Sequence, residues 1–161
     1  MYGILLDTNI YGELADLGES GVKIIDNIYE GILRQEICVH NFRVIRNELR
    51  EGIQSIQLLK LYDAITASTI HDINPEIEKI AEEYYDSYKK FGGGQGKTEN
   101  FMKDLRIVAF SSLKRVTLIY SNDKRTMFSD PAIRAYKEVN FDKNLPEPTF
   151  HTFDDLIRKF G

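Results

Sequence analysis

Cysteine is almost absent: Cys38 stands alone among 161 residues, which excludes a disulfide framework and a cysteine-based zinc site. The thiol lies in Glu36-Ile37-Cys38-Val39, an apolar strand-like run without basic neighbours, and is expected to be buried and inert rather than a nucleophile. Long apolar runs are lacking too, so no segment is expected to span a membrane, and no basic-then-apolar secretory leader opens the chain. A reducing, cytoplasmic setting is the expectation. An excess of positive charge is also missing. Lys and Arg number 21 against 25 Asp and Glu, a formal charge of −4, which argues against broad nonspecific nucleic-acid binding but leaves local basic patches open. Internal repeats and dividing linkers are absent, so residues 1–161 are expected to form one domain with a single core.

What is present is a pair of apolar strands that each run into an acid. Ile4-Leu5-Leu6 leads to Asp7-Thr8-Asn9, and Val116-Thr117-Leu118-Ile119-Tyr120 leads to Ser121-Asn122-Asp123. Both suit buried strands of a parallel sheet, where ligands gather beyond the carboxyl ends. Two carboxylates there would repel unless a cation lay between them.

Strands are expected over residues 3–6, 36–40, 116–120 and 149–151. Helices are expected over 10–17 (capped by Thr8 or Asn9), 22–33, 42–51 (capped by Asn41) and 53–65, with a break over 18–21. Others follow from Asn74-Pro75 to the glycines at 92–94, over 99–114 capped by Thr98, over 131–139, and over 153–160 capped by Thr152. The alternation predicts an α/β fold around a central parallel sheet.

Two further acids stand out by position. Glu48 falls within the arc of Val44, Ile45 and Leu49, so an ionised Glu48 is either paired, metal-bound or swung to solvent at the helix end. Asp104 lies at the edge of the stripe Phe101, Leu105, Val108, Ala109 and Ser112, in a helix that leads into the strand before Asp123.

Taken in order, Leu6-Asp7-Thr8-Asn9, Asn47-Glu48-Leu49, Asp104-Leu105-Arg106-Ile107-Val108-Ala109 and Ser121-Asn122-Asp123 resemble the PIN-domain ribonucleases, the VapC-type toxin nucleases in particular. The resemblance implies a three-layer α/β/α fold in which Asp7, Glu48, Asp104 and Asp123 converge on one or two Mg²⁺ or Mn²⁺ ions and hydrolyse RNA phosphodiesters endonucleolytically. Thr8, Asn9 and Asn122 would be supporting polar groups, and whether Asn122 or Asp123 reaches the metal stays open. The resemblance also brings a toxin role, a small antitoxin partner and a homodimer. Oxygen-only donors suit Mg²⁺, and His40, His71 and His151 fit no ligand spacing. The segment over 65–98 is longer than in compact toxins.

Arg43, Arg46, Arg50, Lys103, Arg106, Lys124 and Arg125 place positive charge beside the acidic motifs, and Arg46, Arg106 and Lys124 are candidates for holding an RNA backbone. Gly92-Gly93-Gly94-Gln95-Gly96-Lys97-Thr98 is not a P-loop: Phe91 stands where the first glycine belongs, and a helix precedes it. It is expected to be a flexible connection on which Lys97 contacts RNA. Tyr84, Tyr85 and Tyr88 are expected in a core or against a partner. Two other readings compete. One is a PIN-like RNA- or protein-binding module without cleavage activity. The other, a phosphoryl-transfer domain, is disfavoured because Asp7-Thr8-Asn9 has no second close acid.

Overall fold

In the computed structural model, which describes all residues 1–161, the β-branched apolar runs pair side by side in one direction. The element order is β1 (Tyr2–Leu6), α1 (Thr8–Asp16), α2 (Glu19–Leu33), β2 (Ile37–Phe42), α3 (Arg43–Glu51), α4 (Ser55–Ile65) and β3 (Thr66–His71). It continues with α5 (Pro75–Lys90), α6 (Glu99–Leu113), β4 (Leu118–Tyr120), α7 (Asp130–Lys143), β5 (Thr149–His151) and α8 (Phe153–Phe160). All four strand pairings are parallel, in the order β3-β2-β1-β4-β5. The chain builds outward from β1 on one side through β2 and β3, then on the other through β4 and β5. The strand order therefore reverses between β1 and β4, where open parallel sheets form their ligand crevice.

The residues group into two compact units. The first comprises Met1–Asp72, Thr117–Asn122 and Thr149–Gly161, and so holds the whole sheet with α1–α4 and α8. Its core is built on the fully buried Ile4, Leu5, Ile10, Tyr11, Ile28, Ile45 and Tyr62. The second comprises Ile73–Val116 and Asp123–Pro148, with α5, α6 and α7. Its helices are pinned by a buried polar network: the Tyr84 hydroxyl donates to Asn140 Oδ1 (2.6 Å), and Asn140 Nδ2 donates to Ser112 Oγ (3.0 Å). Tyr84 and Tyr88 are core residues, as their spacing predicts. No helix is long and apolar enough to cross a membrane.

Local signals hold at several ends. Asn74 accepts from the Ile77 amide (2.9 Å) with Pro75 at the first helical position, and Thr98 accepts from the Phe101 amide (3.2 Å). Thr152 and Asp155 form a reciprocal capping box at α8.

Five expectations change. Helix α1 starts at Thr8 and is capped by Asp7 itself, because the carboxylate reaches the Thr8 amide. The break before α2 shrinks to Leu17 and Gly18, and Gly18 turns the chain with a φ of 59°. Asn41 is the penultimate residue of β2 rather than a helix cap: its Nδ2 donates to the Ala67 carbonyl (3.0 Å) and its Oδ1 accepts from the Tyr62 hydroxyl (2.8 Å). Strand β3 was not foreseen, since Ala67, Ser68 and Thr69 are exposed at a sheet edge and carry no apolar alternation. The glycine turn is also held rather than loose. Gly92 adopts φ 84°, a Cβ on Gly93 would lie 2.2 Å from the Tyr88 ring, and the Gln95 amide donates to the Tyr88 hydroxyl (2.9 Å). Lys89 Nζ donates to the Gly93 and Gln95 carbonyls at 3.1 and 3.3 Å.

Candidate active site

Asp7 is the first residue past β1, and its amide donates to the Tyr120 carbonyl of β4 (2.9 Å), which fixes it at the switch point. The residue is only 4% exposed. A buried carboxylate is costly without donors, and Asp7 has several. Oδ1 accepts from the Thr8 amide (2.8 Å), and Oδ2 accepts from Ser121 Oγ (2.7 Å) and, at 3.4 Å, from Asn9 Nδ2. Its place at the amino end of α1 adds the favourable helix dipole.

Thr8 joins this acid to a second. Its hydroxyl donates to Glu48 Oε1 (3.2 Å), so Asp7 and Glu48 are bonded to the same residue. Glu48 is half-buried on α3 and does not swing away to solvent. Tyr11, one turn beyond Asp7, is fully buried, and burial, Tyr62 and the Asp7 charge together push its phenol well above the ordinary value.

The second unit carries the other pair. Thr126 Oγ1 donates to Asp104 Oδ2 (3.0 Å), and the Thr126 amide donates to the Asp123 carbonyl (3.4 Å). Both acids are half-buried. Both also act on the Tyr136 phenol, which is raised chiefly by burial and then by Asp104, its neighbours Tyr84 and Tyr88, and Asp123.

Asn122 is engaged as a clamp. Its Oδ1 accepts from the Phe153 amide at the start of α8 (3.1 Å), its Nδ2 donates to Glu13 Oε2 (2.7 Å), and its amide donates to Asn9 Oδ1 (3.3 Å). Both ends of its side chain are thus spent on holding α1 and α8 against the end of β4. Ser121 and Glu13 were not singled out from sequence. Ser121 stands within the Ser121-Asn122-Asp123 run, but a lone serine there does not reveal which acid it faces.

Three of the basic candidates are neutralised within the chain. Arg46 forms a two-pronged pair with Asp63 (3.2 and 3.1 Å), and Lys97 pairs with Glu82 and lies 5.6 Å from the Tyr85 ring centroid. Arg106, 13% exposed, is held between Glu78 (2.7 Å) and Glu99 (2.6 Å). Lys124 is exposed and makes no ion pair. Cys38 is partly exposed rather than buried, and desolvation pushes its thiol up, away from the reactive thiolate.

The donors in each unit are carboxylates supported by hydroxyls and amides, a hard, oxygen-only set that fits Mg²⁺ or Mn²⁺ and offers nothing to a soft metal. No three His, Cys, Asp or Glu side chains cluster in ligating geometry.

A central parallel sheet, an order that reverses at β1 and β4, and acids at the carboxyl edge define a three-layer α/β/α, PIN-like fold. No family model and no curated protein matches the sequence. Among solved structures, the chain is similar to one from VapBC2 of Rickettsia felis, bound to a DNA fragment from its promoter. That likeness has a TM-score of 0.55 and 13% identity, covering 93% of this chain and 98% of the other. It is also similar to a chain of DNA-bound VapBC from Salmonella typhimurium, with a TM-score of 0.51 and 10% identity over 95% and 99% of the two chains. At such identities the likeness is one of fold alone.

Proposed function

We propose that the protein is a divalent-metal-dependent endoribonuclease in which Asp7, Glu48, Asp104 and Asp123 hold Mg²⁺ or Mn²⁺ and residues 1–161 act as one nuclease domain. The observation that carries this is the Asp7 carboxylate. It is 4% exposed, fixed at the switch point of the sheet, and linked through Thr8 to Glu48. Two carboxylates bonded to one neutral residue, one through its amide and one through its hydroxyl, favour a cation beside them over each other's company. When bound, such an ion activates water and offsets charge on the scissile phosphate. The chain's part is to orient the ligands: Ser121 and Thr8 fix both oxygens of Asp7, and Thr126 fixes Asp104. The VapBC likenesses support a role as the toxin of a toxin–antitoxin pair, restrained by a small antitoxin protein in the cytoplasm.

Cleavage of labelled RNA with Mg²⁺ or Mn²⁺, abolished by EDTA, is the expected result. Asp7→Asn and Asp104→Asn should each lower the rate by at least about 100-fold while circular dichroism stays unchanged. The Ser121 hydroxyl can turn to accept where it now donates, so the asparagine at position 7 is tolerated. Mn²⁺ should raise the Tm of the unaltered chain and not that of Asp7→Asn. Full cleavage by either variant overturns the assignment. RNA binding without cleavage by the unaltered chain would identify a silent binding module instead.

A further inference from the structure

Arg43, Arg46, Arg50, Lys103, Arg106, Lys124 and Arg125 flank the acidic motifs in sequence, Lys97 lies on the glycine turn, and the structure separates these eight by whether their charge is already spent. Arg43 pairs with Asp72 and Arg46 with Asp63, while Arg106 is held by two glutamates; Lys97, on the glycine turn, pairs with Glu82. A cation beside its own carboxylate presents a neutral pair to an approaching polyanion and releases few counterions from it. Arg50, Lys103, Lys124 and Arg125 differ: none makes an ion pair or a side-chain hydrogen bond within the chain. Of these four, only Lys124 and Arg125 stand side by side, both exposed, directly after Asp123.

Their position is also built. The turn over residues 123–128 closes on the Asp123 carbonyl, which accepts from the Thr126 and Phe128 amides at 3.4 and 3.2 Å. Thr126 in the same turn donates to Asp104, and Met127, fully buried, gives its carbonyl to the Tyr136 hydroxyl. The inner residues of the turn are thus anchored to Asp104, to the Asp123 carbonyl and to the core of the second unit, and the outer two are adjacent free cations.

We infer that Lys124 and Arg125 are the backbone anchor for single-stranded RNA, holding phosphates next to the one attacked and setting the substrate's register on Asp104 and Asp123. This rests on the nuclease reading above. Arg46, Lys97 and Arg106, by contrast, serve the fold. Lys97 could reach phosphate only by surrendering Glu82, and Arg106 only by surrendering Glu78 and Glu99.

The test is binding of labelled single-stranded RNA, followed by fluorescence anisotropy across a KCl series, in an Asp7→Asn background that blocks turnover. Lys124→Gln/Arg125→Gln should weaken binding roughly tenfold at low salt and flatten the log–log salt slope by about 0.7 for each cation removed. Lys97→Ala should leave affinity and slope unchanged. Because Lys124 and Arg125 are exposed and unbonded, the double variant should keep the Tm of its parent. An unchanged slope in the double variant, with RNA cleaved by the chain retaining Asp7, overturns the anchor and leaves the nuclease reading standing. Failure of the unaltered chain to bind or cleave any RNA overturns both.

Discussion

Ser121 donates to Asp7 from a fully buried position, so the acid is oriented by a neutral partner that adds no competing charge. Groups that orient a ligand usually matter to metal affinity almost as much as the ligand does. Ser121→Ala should weaken Mn²⁺ binding by about 10- to 100-fold, read as the Mn²⁺ midpoint of both cleavage and Tm. Its cost to folding should be about 1.5–3 kcal/mol, the size of one lost hydrogen bond to a charged group. An unmoved midpoint would show that the hydroxyl has no part in holding the ligand. The acids themselves were legible because each stands at a strand end or within a helix stripe. Asn122 was not, since its role comes from Glu13 and Phe153, which no local pattern attaches to it.

Among the elements, α6 shows what local chemistry can specify. Thr98 caps it, as its place before the helix suggests, and Asp104 follows on the same helix at the margin of its buried face. Thr98→Ala leaves the Phe101 amide without its acceptor and should cost about 1 kcal/mol, measurable by urea unfolding. Full stability in that variant would mean that another group takes over the cap. Helix α3 behaves differently. Asn41 has the composition of a cap, yet the strand claims it, because Tyr62 and the Ala67 carbonyl satisfy its amide better than a helix end would. Strand β3 carries no local signal for a related reason: an exposed edge strand is held by its backbone pairing with β2, which leaves little trace in side-chain polarity.

At the scale of the whole molecule, buried phenols make stability sensitive to alkali. Burial pushes Tyr84 and Tyr120 up to about 12 and also raises Tyr11, Tyr62 and Tyr136 well above the ordinary value. An unfolded tyrosine ionises near 10. Below that pH both states hold the proton and these groups contribute no pH dependence. Above it the unfolded chain loses protons that the folded chain keeps, so stability falls as pH rises. The decline should approach about 1.4 kcal/mol per pH unit for each buried tyrosine, and for Tyr84 and Tyr120 it should level off near 12. Urea unfolding at about pH 9 and about pH 11, with tyrosinate absorbance as the second probe, should show the loss. Equal stability at the two values would contradict the depth of burial.

The amino-acid sequence by itself determined the alternation of strands and helices, the apolar runs that end in Asp7 and Asp123, and the caps at Asn74, Thr98 and Thr152. Those features depend on residues within a turn or two of each other, where side-chain type and spacing govern the energetics. Tertiary structure alone decided that Ser121, 114 residues away, supports Asp7, that Thr8 joins Asp7 to Glu48, and that Arg46, Lys97 and Arg106 are neutralised while Lys124 stays free. Such partnerships follow from strand order and helix packing, which bring together groups that no local periodicity relates.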